Sequence, residues 1–128
     1  MDEVALSLGK DPADYRLYPA DNPRAKNVIE KVMKMPDWGT SKPGRAQGIA
    51  YSDYNDSYSA SLADISLDEK AGKITVHRYF IAVDAGLSLI PDNVRAQVES
   101  GVFYGISSVL TERVSHSEGM VQQSNFHD

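Results

Sequence analysis

YSASLADISLDEKAGKITVHRYFIAVD, residues 58–84, carries the strongest structural signal in the chain. Residues 58–68 alternate, with serines interleaved among Leu62, Ile65 and Leu67, and period two marks a half-buried strand. Residues 69–72, Glu-Lys-Ala-Gly, are a short loop ending in glycine. ITVHRYFIAVD then reads as the return strand of an antiparallel hairpin.

Upstream, residues 45–54 read as a further strand, and Asn55-Asp56-Ser57 is a turn signal. Before that the pattern is helical. Residues 2–8 put Val4, Ala5 and Leu8 on one face, and Gly9 stops them. Asp11-Pro12 and Asn22-Pro23 each combine a capping side chain with a first-turn proline. The second of these opens a helix carrying Val28, Ile29, Val32 and Met35, which Pro36 ends. The loop after Trp38-Gly39 is the best internal boundary.

Downstream, Asp84-Ala85-Gly86 breaks the strand. Pro91 and Asp92 suit the first turn of a helix over residues 91–112. Residues 113–117 and 119–124 are expected to pair across Ser117-Glu118-Gly119. The fold class is therefore α+β. N-terminal helices, antiparallel β-hairpins and one long helix packed on the sheet make a single domain over 1–128, helical over 1–38 and hairpin plus long helix over 45–128.

The long helix poses a question. Val98, Val102, Ile106 and Val109/Leu110 recur at helical spacing, yet Gly101 and Gly105 interrupt it. Each costs roughly 1 kcal/mol against Ala in a helix interior. Four apart, they share one face. Close packing of the helix on its own sheet would use such a face, and so would a flat ligand near the helix start. Gln97, an amide with two donors and an acceptor, lies one turn before Gly101.

Composition excludes several functions. The net charge of −5, from 13 basic and 18 acidic residues, argues against a nucleic-acid surface. No cysteine is present, so thiolate catalysis, disulfides and cysteine-held clusters are excluded within these residues. No apolar run is long enough for a membrane span, and MDEVALSLGK has no signal-peptide shape. His77, His116 and His127 do not sit at metal-ligand spacing. Tyr51, Tyr54 and Tyr58 could form a small recognition surface, although aromatics packing a sheet explain them more simply. There is no Gly-x-Ser-x-Gly elbow, and residues 44–48 lack the Lys-Ser/Thr of a phosphate loop.

Beyond spacing, VDAGLSLIPDNVRAQVESGVFYGISSVLTE resembles the large, molybdopterin-binding subunit of the molybdenum hydroxylases, the xanthine dehydrogenase and aldehyde oxidase superfamily. The shared pattern is Val-Asp-x-Gly ending a strand, Asn/Ile-Pro, then Gln-x-Glu-Gly/Ser-Gly on a helix. VQQSNFHD is similar to the branch of that superfamily formed by the isoquinoline 1-oxidoreductase beta subunits, as is MDEVALSLGKDPADYRL with PR, VIEKV and W behind it. The resemblance implies that Gln97 and Gly101 bind a molybdopterin (cytosine) dinucleotide carrying molybdenum. Ser100 stands where many relatives have a further glycine.

It also implies oxidative hydroxylation of an N-heterocycle or aldehyde, with electrons leaving through iron–sulfur clusters on a small subunit. The family's catalytic glutamate lies in a Gly-Val-Gly-Glu-like segment, which these residues do not contain. Glu99 belongs to the helix motif and is expected to cap or brace it. No catalytic residue and no metal ligand is therefore assigned here. The chain is expected to be a lobe cut from a longer protein. Alone it should hold no cofactor and be inactive, and it should self-associate through exposed apolar faces. Its partners would be the rest of the large subunit and the iron–sulfur subunit, with no nucleic acid or membrane. Bacterial cytoplasm and periplasm both stay open. The alternative is a free-standing α+β binding or assembly domain without catalysis.

Overall fold

The computed structural model describes residues 1–18 and 21–125. They form two compact units, Met1–Leu87 and Ser88–Asp128. In the first unit, the helices Pro12–Leu17 and Pro23–Lys34 and the three long strands share one core.

The first unit contains α1 (Asp2–Ser7), α2 (Pro12–Leu17), α3 (Pro23–Lys34), β1 (Ala46–Tyr54), β2 (Ser57–Asp68) and β3 (Lys73–Asp84). Both capping signals operate as read. Asp11 accepts from the N–H groups of Ala13 and Asp14 at 2.8 and 3.1 Å, and Asn22 accepts from Arg24 N–H at 2.8 Å. Each satisfies first-turn donors that the helix itself leaves orphaned. Helix α3 buries Ala25, Val28, Ile29 and Val32, a stripe with helical spacing. Met35 falls at its C-terminal cap and is largely exposed. In α1 only Ala5 is buried, because Val4 and Leu8 turn to solvent.

The sheet has the order β1-β2-β3, antiparallel throughout. Asn55 and Asp56 join β1 to β2 with φ of 45° and 57°, the left-handed pair that a two-residue hairpin turn demands. Ile49, Leu62 and Ala82 meet the stripe of α3. Leu62 and Ile29 are fully buried, and each such side chain contributes about 1.5–3 kcal/mol over an exposed one.

One core-facing position breaks the apolar pattern. Asp64 is completely buried. Its Oδ2 accepts from Arg78 Nε and Nη2 at 3.0 and 2.8 Å and from Arg45 Nη1 at 3.2 Å. These charge-assisted bonds, Arg78's foremost, hold the carboxyl below its ordinary pKa against the opposing effect of burial. Just beyond it, between Asp64 and Ile65, the β2–β3 register shifts. His77 is the extra residue there, and its Nε2 lies 2.8 Å from Ser66 Oγ.

The second unit contains α4 (Pro91–Leu110), β4 (His116–Ser117) and β5 (Met120–Val121). The expected hairpin is present but its strands are two residues long. Glu118 and Gly119 turn it, both with positive φ. Within the first unit, α3 is the helix that lies on the sheet. No residue of α4 is buried; Phe103 and Tyr104 place apolar groups outside its Val/Ile stripe, and Val109 within it is exposed too.

Candidate functional site

Helix α4 starts as its sequence requires. Pro91 occupies the first turn and Asp92 follows at the positive end of the dipole. Ile90 is the N-cap and offers no side-chain bond. Its carbonyl accepts from Asn93 and Val94 N–H at 3.1 and 3.3 Å. Val94, Val98, Val102 and Ile106 form the half-buried stripe. Gln97 and Gly101 stand one turn apart on another face, and both are exposed.

The glycines answer the first half of the question they raise. A Cβ built on Gly101 or Gly105 meets no atom within 4 Å among the described residues. Close packing within the second unit is therefore not why they are glycine. The helix instead presents a strip of bare backbone beside the Gln97 amide. The Glu99 side chain is exposed and makes no hydrogen bond or ion pair among the described residues, so among them it neither caps nor braces the helix.

A cleft of about 360 Å³ lies at the other end of this unit. Thr111, Arg113, Val121 and Gln123 are among its walls. Gln123 Oε1 accepts from Ser115 N–H at 2.7 Å and tethers the C-terminal stretch to the start of the hairpin. Neither Gln97 nor Gly101 lines this cleft. Of the closing run VQQSNFHD, which carries part of the family resemblance, residues 126–128 lie outside the described residues.

In the first unit, the Val83-Asp84-x-Gly86 motif is a latch. Arg24 Nε and Nη2 donate to the Asp84 carboxylate at 3.0 and 2.7 Å, and Gly86 N–H adds a third bond at 3.0 Å. Arg24 leads and Gly86 follows in holding the Asp84 carboxyl down at about 2. Gly86 has φ of 72°, and a Cβ there would meet Arg24 Nη2 at 3.5 Å. The Arg24 guanidinium also stacks 4.8 Å from the Tyr58 ring centroid. Sequence marks Asp84 and Gly86 as a strand break and as part of a motif, but not Arg24 as their partner.

The other candidates resolve simply. Tyr58 is buried in the core, Tyr51 packs against it, and Tyr54 is exposed on the opposite sheet face. Among the described residues no three His, Cys, Asp or Glu side chains converge on a point that could hold a metal ion. No helix of the described residues is long and apolar enough to cross a membrane.

Comparison with known proteins gives this arrangement a family. Residues 13–128 match the molybdopterin cofactor-binding domain. The chain is 36% identical over 133 aligned residues to the beta subunit of isoquinoline 1-oxidoreductase from Brevundimonas diminuta, covering 100% of the chain and 17% of that protein. It is 32% identical over 139 residues to a nicotinate dehydrogenase subunit of Pseudomonas putida, covering 94% of the chain and 12% of the relative. A membrane-bound aldehyde dehydrogenase (pyrroloquinoline-quinone) of Gluconacetobacter polyoxogenes is 29% identical over 148 residues, covering 99% of the chain and 19% of the relative. The chain thus spans less than a fifth of the length of these relatives.

Proposed function

Because the chain belongs to the molybdopterin cofactor-binding domain family, we propose that it forms part of the molybdopterin-dinucleotide-binding region of an oxidoreductase that hydroxylates an N-heterocycle or an aldehyde. One observation carries the site assignment: Gln97 and Gly101 share an exposed face of α4 whose backbone is open to close approach. A flat, heteroatom-rich ring system fits that surface. The Gln97 carboxamide has donors and an acceptor to offer its edge, and glycine lets it come near the backbone.

When bound, the molybdenum cofactor supplies the oxidation chemistry. This chain's residues bind and orient it. Gln97 supplies hydrogen bonds and Gly101 supplies clearance, and neither moves a proton. The catalytic glutamate expected for the reaction is absent from these residues, so the chain alone is inactive. One open helix face encloses too little of a dinucleotide to retain it, so the isolated chain holds none.

The substrate class follows the names of the relatives, two of which refer to nitrogen heterocycles and one to an aldehyde. The third name also contains a quinone cofactor. The family match over residues 13–128 supports molybdopterin instead. The partners are the rest of a large subunit and an iron–sulfur small subunit. Two relatives are named as subunits, and a chain without cysteine needs its clusters elsewhere. The enzyme would work in the bacterial cytoplasm or periplasm.

The test uses a large subunit carrying this stretch, with Gln97→Ala. Molybdenum is read by elemental analysis and pterin by fluorescence after oxidative release. The expected result is a several-fold loss of both with the circular dichroism spectrum unchanged. Full retention of both would overturn the assignment.

A further inference from the structure

The three-stranded sheet has its charges on the wrong side for a solvated sheet. Strand residues alternate between the two faces. The face towards α3 carries Asp53, Asp64, Asp68, Lys73, Arg78 and Asp84. On the opposite face lie positions 46, 48, 50, 52 and 54 of β1, then 57, 59, 61, 63, 65 and 67 of β2. Past the register shift, β3 adds 74, 76, 79, 81 and 83. None of these is Asp, Glu, Lys, Arg or His, in a chain that is 24% charged.

An antiparallel sheet with one wet face shows the reverse, apolar inward and polar outward. Here the open face is graded in size. Gly48, Ala50, Ser61 and Ala63 make a shallow floor across β1 and β2, and Tyr79, Ile81 and Val83 raise a wall along β3. Ser52, Ser57, Ser59 and Ser61 are its short polar side chains, and Ser59 Oγ turns back to donate to Ser52 C=O at 3.3 Å. Leu67, Ile74, Val83 and Tyr79 are 56, 42, 38 and 37% exposed. A contiguous apolar surface of this kind marks an interaction site.

We propose that this face is an internal layer of a large subunit, covered by apolar side chains from the part that lies outside the matched stretch in the relatives. The occupant follows from length. The Brevundimonas diminuta protein devotes 17% of itself to the matching stretch, so more than four-fifths of it remains to supply a second layer. The proposal rests on the partner reading above, but not on Gln97 or the cofactor.

The test is sedimentation velocity of the 128-residue chain with an apolar fluorescent dye present. Expected is concentration-dependent association without fixed stoichiometry, together with dye binding. Val83→Lys and Tyr79→Lys should each reduce both several-fold and leave the thermal midpoint within a few degrees. If either fails to fold, Ala50→Lys replaces it. A discrete dimer abolished by the lysines would make a second copy the occupant and overturn the proposal. A monodisperse chain that binds no dye would overturn it as a solvated face. Association relieved by Phe103→Lys on α4, and not by the sheet variants, would also overturn it. A direct arm supplies the chain to the Brevundimonas diminuta protein lacking its matching segment. A one-to-one complex lost in Val83→Lys supports the proposal. No complex, where the relative's own segment forms one, refutes it. Pterin content reads the cofactor site separately, so either idea can fail without the other.

Discussion

Gly101→Ala should have opposite effects on the stability of the chain and on its proposed function. The added methyl meets nothing within 4 Å, and Gly101 is not among the positive-φ glycines. Alanine therefore fits α4 without strain. It recovers the roughly 0.8–1 kcal/mol that glycine forfeits in a helix interior. With a urea slope of about 1–2 kcal/mol/M, the transition that melts α4 should move up by about 0.5–1 M. Urea titration of the 128-residue chain followed by helical circular dichroism measures this. In a large subunit carrying this stretch, the same methyl occupies the clearance assigned to the cofactor. Molybdopterin content should fall while the helix gains stability. A loss of stability in the chain would refute the open-face geometry, because the methyl must then be striking something. A gain in stability with cofactor content unchanged would refute the clearance argument and leave the glycine without a functional reason.

Other outcomes follow from the first unit. Leu62→Ala empties a fully buried site between α3 and the sheet and should cost about 3 kcal/mol, read by chemical denaturation. Asp84 should shape the acid limb of stability. Its folded pKa of about 2 lies below the unfolded value near 4, so its contribution is complete above about pH 4 and is lost as pH falls towards 2. Asp84→Asn should flatten that part of a pH–midpoint curve, and an unaltered curve would count against the latch. Asp64→Asn should lower the denaturation midpoint. In a double-mutant cycle its effect should be strongly non-additive with Arg78→Gln, because both remove the same bonds. Additive losses would mean that the buried carboxylate is held by something else.

Which parts of the molecule are legible in the sequence follows from how local their causes are. The hairpin over residues 58–84 can be read to within one residue of its strands, because period two and a glycine-ended loop are properties of the segment itself. The Asp11 and Asn22 caps are equally visible, since a cap needs only its own first turn. Where α4 belongs cannot be read in the same way. A Val/Ile stripe says that a helix has an apolar side, not what covers it, and Phe103 and Tyr104 show that its apolar groups are not confined to one side. Gln97 and Gly101 are marked by a motif, and the open approach to them is a property only coordinates supply.

The least legible feature is the inversion of charge across the sheet, and its cause is instructive. Reading Asp64 as solvent-facing is the default for a carboxylate in an alternating strand. The bonds that overturn that default come from Arg45, 19 residues away, and Arg78, 14 residues away. Arg24 reaches Asp84 across 60 residues. Each buried or half-buried carboxylate has its arginine on a different element, so no local window contains the pair. Once the pairs are placed, the meaning of the uncharged residues changes too. Ser59, Ser61 and Ala63 look like the wet side of a strand when Leu62 is taken as the dry side. With the paired carboxylates assigned to the side of α3, the same small residues become the floor of a face that carries no charge at all. Two apolar-compatible faces on one antiparallel sheet are what a middle layer requires. By this reasoning the face opposite α3 joins the Gln97 helix as a surface proposed to be covered in a large subunit.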